Sequence, residues 1–462
     1  MAEKYFHHAL KFRREVCIGC SHCMNVCPTQ AIRIHSGKAE LTDNRCVDCG
    51  KCYMACPVGA IIVEQDDFSQ IFMYRHRIAL IPGVLLGQFP GKVTNMQIYS
   101  VLLDMGFTEV EEVEKGTGIL RMAMDSYLQE NHHLKPLISS FCPAIVRLIQ
   151  VRFPSLTENI MLLKAPLDVT ATYIRKKYAE MGVDPKEVGI YYITPCAAKI
   201  AAVKSPVGDK FSQIDGVINM DVIFNKVYTA MKQGFAGKNQ CSLPVSAPLK
   251  PFQQLWTLTE GEASLFPGRS LAIDEISNVI EFLEKLENEE TCDINFLELR
   301  ACDQSCAGGI LASGNRFFTV ERLRKTAIET AAKEDKKVVE ASNDILKYTQ
   351  HLLQNMAVSK VLPRAMDKLD EDMKMAMLKM QMVREIMKTL PYVDCGLCGA
   401  PTCRALAQDI VQGKAKITNC IFIQKKYEQK NWLNPQETMD ILKQVWGDDK
   451  FTDPDNTKYV TL

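Results

Sequence analysis

The sequence has no excess of charge of either sign. Its 462 residues carry 55 Lys and Arg against 55 Asp and Glu. No global basic field is present to gather nucleic acid or anionic lipid. No apolar run approaches the roughly 20 residues needed to cross a bilayer. The first residues, Met1-Ala2-Glu3-Lys4-Tyr5, lack the charged-then-apolar pattern of an export signal. The expectation is a cytoplasmic protein with no nucleic-acid partner and no membrane span. Apolar and charged fractions, 47% and 24%, are ordinary for soluble domains. The length suggests about two to four of them.

Cysteine is what the chain has in abundance. Of 18 Cys, 16 fall in three regions. A secreted disulfide scaffold is the bland alternative, but such scaffolds are short and exported. Closely spaced thiols in a reducing compartment point to metal ligation. Cys241 and Cys292 stand apart and receive no role.

The first region is an internal repeat. Cys17-x2-Cys20-x2-Cys23-x3-Cys27-Pro28 recurs as Cys46-x2-Cys49-x2-Cys52-x3-Cys56-Pro57. Three Cys so spaced wrap one iron–sulfur cube, and the fourth, before proline, reaches the other cube. Cys17, Cys20, Cys23 and Cys56 are therefore expected to hold one [4Fe-4S] cluster. Cys46, Cys49, Cys52 and Cys27 are expected to hold the second. Zinc is the competing metal, but it rarely uses this frame twice. His22 is read as a solvent-facing spacer. The region looks like a bacterial two-cluster ferredoxin, whose role is electron relay.

From about 75 to 325 the pattern alternates strand and helix. Arg77–Ile81, Leu134–Ile138, Val188–Ile193 and Phe296–Leu299 read as buried strands. Asn95–Met105, Pro143–Phe153 and Leu167–Met181 read as helices. Such alternation implies an α/β domain with a mostly parallel sheet. Three cysteine segments follow predicted strands: Ser139-Ser140-Phe141-Cys142-Pro143, Thr194-Pro195-Cys196-Ala197-Ala198-Lys199, and Glu298 through Cys302 and Cys306 to Gly309. Ligands gather outside the carboxyl ends of strands in open α/β sheets, so four thiolates could meet in one crevice. Pro143 suits the first position of a helix whose positive end would face an anionic cluster. Four buried structural cysteines remain the competing reading.

Residues 320–388 are almost continuously helical in pattern, broken at Pro363. Met366, Leu369, Met373, Ala376, Met380, Val383 and Met387 form a heptad-like seam. It suits a linker packed on its own chain, or a homodimer contact. The last cysteine group, Cys395-x2-Cys398-x4-Cys403-x16-Cys420, suits a third [4Fe-4S] cluster or a zinc ion. It resembles the single-cluster domain of corrinoid iron–sulfur proteins and of membrane-associated electron-transport subunits.

The three central segments resemble, in order, the signature motifs of the [FeFe]-hydrogenase active-site domain. The resemblance implies a two-lobed α/β hydrogenase domain at 71–325. It would be preceded by a small α+β ferredoxin domain at 1–70. A helical linker at 326–388, a small Fe-S domain at 389–425 and a tail at 426–462 would follow. It also implies an H-cluster: a [4Fe-4S] cubane joined to a diiron unit carrying CO, cyanide and a bridging dithiolate. Carried over by position, Cys142, Cys196, Cys302 and Cys306 would ligate the cubane. Cys306 would also bridge to the diiron unit, and Lys199 would donate to a cyanide. Implied partners are H2 and protons, a redox or signalling protein, and hydrogenase maturation proteins.

The sequence departs from the standard pattern. Phe141 stands where standard members have the proton-carrying Cys. Ala202 stands where a second relay residue, Glu, is usual, and Thr194 replaces a Met. Asp303, Gln304 and Ser305 occupy positions where glycine is usual. The ligands are kept while the fast proton path is lost, which resembles a divergent, sensory branch of the family. The implied activity is slow, reversible H2 oxidation and proton reduction. Two rivals remain: a working hydrogenase with another proton route, for which Thr257–Glu262 is a candidate, and an iron–sulfur scaffold without the diiron unit.

Overall fold

A computed structural model describes residues 6–234, 249–288, 293–333, 344–365, 369–370 and 372–452. Cys241 and Cys292 lie outside the described residues. The chain divides into two compact units. The first takes 63–364 together with the segments up to residue 9 and 47–49. The second takes 10–46, 50–62 and the chain from 365 onward.

The first unit holds two parallel sheets. One runs in the order Glu109–Glu112, His76–Ile81, Val188–Thr194, Gly216–Asn219. The other runs Ser270–Ile273, Phe296–Leu299, Leu137–Ile138. Two parallel sheets within one α/β unit match the expected two-lobed class. Every residue of Val188–Thr194 and of Phe296–Leu299 is buried. A strand covered on both faces favours a near-continuous apolar composition over alternation, with the buried Glu298 the charged exception here. Helices begin where the sequence places them: Asn95–Asp104 behind a Thr94/Gln97 capping box, and Pro143–Arg152 with Pro143 in the first turn.

Two expectations change. The Leu134–Ile138 strand is only Leu137–Ile138. The near-continuous helix over 320–388 is broken into Arg316–Lys333, Thr349–Gln354 and Met373–Met387. Between the last two, the backbone bonds to its own unit instead of to itself. Lys164 donates to the Met356 carbonyl, Val358 to Leu162, Ser359 to Gly208 and Arg364 to Gln150. Tertiary hydrogen bonds satisfy this backbone, so helical propensity is overridden. Of the expected seam, Met366 lies outside the described residues. Val383 is buried, whereas Met373 and Met380 are exposed.

In the second unit the hairpin Ile32–His35/Lys38–Leu41 packs with C-terminal helices. Ser36 and Gly37 donate to the carbonyls of Gln444 and Val445 in the Pro435–Trp446 helix. Ile34 donates to Gly399. Arg33 Nε meets Asp409 Oδ2 at 2.6 Å, both nearly buried. The ferredoxin-type hairpin and the C-terminal cysteine segment therefore share one body.

Candidate metal centre

Cys142, Cys196 and Cys302 each follow a parallel strand of the first unit by a few residues. Cys142 and Cys196 are the N-caps of the helices Pro143–Arg152 and Ala197–Lys204. Two thiols thus sit at positive helix ends, which favour a bound anion. Lys199 lies three residues beyond Cys196, on the same face of its helix. Its Nζ stands 3.8 Å from Cys306 Sγ.

The four thiols and this amine act on one another. Burial pushes the Cys196 thiol up to about 12; Lys199 pulls it down, while Cys306 and Cys142 push it further up. Cys302 is raised by burial, then by Cys196, Cys142 and Cys306. Burial works against the Lys199 charge, but Cys306, Cys196 and Cys142 outweigh it and keep the amine protonated. The buried Cys196 and Cys302 thiols resist ionisation. A cationic iron core removes that resistance by its own charge. The donor set fits an iron–sulfur cube.

Thr194 orders the second segment: its Oγ1 donates to the Cys196 carbonyl at 3.0 Å and accepts from the Cys196 N–H at 3.3 Å. In the third segment Gln304 and Ser305 have φ of 61° and 53°. These are left-handed conformations that favour glycine, the residue usual there.

Phe141 is buried between two cations. Lys199 Nζ lies 4.5 Å and Arg300 Cζ 4.0 Å from its ring centroid. Arg300 is held by Glu262 at 3.1 Å and Glu298 at 3.3 Å. Ser139 Oγ donates to Glu262 at 2.6 Å. Burial raises the Glu262 carboxyl to about 7; Arg300 and Ser139 oppose the rise and Glu298 adds to it. The sequence reading named Glu262 without placing it and gave Arg300 no role. Their pairing spans 38 residues, so no local spacing signals it.

In the second unit Cys17, Cys20, Cys23 and Cys56 line one small pocket with Ile34, Ala39 and Ala60. The crossed partner Cys56 thus joins the first triplet. Backbone N–H groups aim at these sulfurs: Ala39 at Cys17, 3.4 Å, and Ala60 at Cys56, 3.2 Å. His22 is exposed. Cys27, Cys46 and Cys52 also lie in this unit, and Ala31 donates to Cys27 Sγ at 3.2 Å. Cys49 lies in the first unit, near enough to Cys302 for its charge to raise that thiol. Cys395, Cys398, Cys403 and Cys420 line a further pocket. There, burial takes the Cys398 thiol to about 11; Cys420 and Cys395 add to the rise.

Family models match three stretches of the chain. The family described as iron only hydrogenase large subunit, C-terminal domain, matches residues 80–230. A 4Fe-4S dicluster domain matches 16–60, and an Fe-S cluster family matches 390–422. Iron hydrogenase 1 of Clostridium pasteurianum is 28% identical over 131 residues, 28% of this chain and 22% of that protein. Residues 80–230 thus resemble the C-terminal domain of iron-only hydrogenase large subunits. The NADP-reducing hydrogenase subunit HndD of Solidesulfovibrio fructosivorans is 23% identical over 237 residues. That alignment spans 48% of this chain and 37% of HndD. The hydrogenase-like chain thus matches well under half the length of either relative. The corrinoid/iron-sulfur protein large subunit of Moorella thermoacetica is 46% identical over 39 residues, 8% of this chain and 9% of that one. Among solved structures, [FeFe]-hydrogenase HydA1 from Chlamydomonas reinhardtii aligns over 62% of this chain and 94% of its own. The sequence identity is 16% and the TM-score 0.44. No helix among the described residues is long and apolar enough to cross a membrane.

Proposed function

We propose that this chain is an H2-responsive, regulatory [FeFe]-hydrogenase of low turnover that relays electrons through [4Fe-4S] clusters. The observation that carries the reading is one arrangement: four cysteines and Lys199 converge, and Phe141 stands beside them wedged between two cations. Cys142, Cys196, Cys302 and Cys306 would hold the cubane of an H-cluster, with Cys306 bridging and Lys199 donating to a cyanide. When bound, that group supplies heterolytic cleavage of H2.

The protein's own residues set the rate. Lys199 stays charged and can hold an anion in place. Phe141 offers no exchangeable proton. Ala202 offers none either. General acid–base groups contribute roughly 10²–10⁴ in rate, so losing two relay positions leaves slow chemistry and intact binding. Electron passage between the ferredoxin clusters and the central one is part of the same proposal. The proposed cluster sets are Cys17, Cys20, Cys23, Cys56; Cys46, Cys49, Cys52, Cys27; and Cys395, Cys398, Cys403, Cys420. The domain limits proposed from sequence, cytoplasmic location, a redox or signalling partner and dependence on maturation proteins complete the proposal. The test is steady-state H2 turnover of the matured chain. A rate far below standard members with the cluster assembled is expected; a standard rate refutes the regulatory reading.

A further inference from the structure

A cavity of about 460 Å³ opens beside the centre, with Phe141, Lys199 and Ala202 in its inner wall. Asp168 also lines the cavity, and Lys164 and Asp209 line its mouth. Lys164 and Asp209 face each other at 4.0 Å and are partly exposed, 16% and 32%. The neighbouring Lys210 is exposed, so this end meets solvent. The inner end belongs to the site already described; the outer end is used by nothing described so far.

We propose that this cavity is the proton path of the chain, with Asp168 as the relay between the Lys199 end and the mouth at Lys164 and Asp209. This rests on the hydrogenase reading above. Asp168 lies in the first turn of the Pro166–Glu180 helix. Its carboxylate has no side-chain hydrogen bond among the described residues. An ordinary first-turn acid would be held low by the helix dipole. Asp168 is instead pushed up to about 6, by burial first and then by Asp209, with Lys164 and Lys199 opposing. A group poised there can both take and give a proton near neutral pH.

The cavity is lined by apolar residues together with Lys164, Asp168, Lys199 and Asp209, and it is large enough for a chain of waters between those polar groups. During H2 oxidation a proton leaves the Lys199 end through water. It adds to one Asp168 carboxylate oxygen and is lost from that oxygen to water at the mouth. Only O–H bonds form and break, and no electron moves. During proton reduction the order reverses. One flexible acid and a water chain replace a fixed relay, which accords with slow turnover.

The test uses the full chain with its clusters, in three forms: wild type, Asp168→Asn and Asp168→Glu. Before any diiron unit is added, infrared difference titration should show a carboxyl band titrating near pH 6 in wild type and missing in Asp168→Asn. After artificial maturation, Asp168→Asn should lower H2/D2 exchange about 100-fold, with iron-bound CO and cyanide bands unchanged, and Asp168→Glu should restore most of it. Asp209→Asn removes a like charge, so it should lower the Asp168 pKa and move the pH profile to lower pH. This second variant serves if Asp168→Asn does not fold. Exchange in Asp168→Asn within about twofold of wild type, or an Asp209→Asn profile that does not move, overturns the relay. Absence of CO and cyanide bands in wild type instead overturns the hydrogenase reading on which the relay rests.

Discussion

Replacing Phe141 with cysteine restores the standard residue and removes a ring that does structural work. The ring is 4% exposed and sits between Lys199 and Arg300. Truncating a buried phenylalanine costs about 3–5 kcal/mol, with cysteine at the lower end. Each lost cation–π contact adds about 0.5–2 kcal/mol. Stability should therefore fall by about 4–7 kcal/mol, read as a lower denaturant midpoint. Turnover should recover little, because Ala202 leaves the next relay position empty. The pair Phe141→Cys with Ala202→Glu should exceed either single change, since relay groups act as a unit and are non-additive. The assay is H2 evolution with excess reductant, after iron content and infrared bands have been matched to wild type. A gain of about 10² or more from Phe141→Cys alone would refute the reasoning. So would a variant as stable as wild type, because the ring would then not be filling the site.

Three further outcomes follow from the same geometry. Cys306→Ser should abolish the CO and cyanide signature while the ferredoxin clusters keep their paramagnetic signals; normal bands in that variant would remove the bridging role. Iron per chain should reach about 18, at four for each of four clusters plus the diiron pair. About 14 with one zinc would withdraw the C-terminal cluster, and about 16 without CO or cyanide bands would favour a scaffold. Gln304→Gly should raise stability by about 1 kcal/mol, because Gln304 holds a φ of 61° that glycine adopts freely. An unchanged or lower melting temperature would mean that its side chain contributes more than its backbone costs.

The grouping of the first cysteine repeat was legible because its spacing is local, whereas Cys142, Cys196, Cys302 and Cys306 lie in three distant segments and were read by resemblance. The repeat alone predicted that Cys56 joins Cys17, Cys20 and Cys23, and the four line one pocket. The buried, mostly apolar strands Val188–Thr194 and Phe296–Leu299 were legible as local apolar runs. Glu109–Glu112 was not, since a strand of three glutamates and a valine shows no apolar signal. Its acids are held by tertiary partners, such as Lys177 and Tyr178 for Glu109 and Lys115 for Glu111. The Glu262–Arg300–Phe141 stack was invisible because each contact joins a different segment. The Pro435–Trp446 helix was legible and unread: Asn434 and Glu437 form a capping box at its start. The extended stretch after Gln354 could not be foreseen, because its hydrogen-bond partners lie some 150–200 residues earlier in the chain.

The central claim is that Cys142, Cys196, Cys302, Cys306 and Lys199 hold an H-cluster that still binds H2. The most direct measurement is the infrared spectrum of the artificially matured chain, recorded under argon and then under H2. The account predicts bands of iron-bound CO and cyanide under argon, and a shift of those bands under H2. A chain loaded with its [4Fe-4S] clusters that shows no such bands, or bands that H2 leaves unmoved, would contradict it.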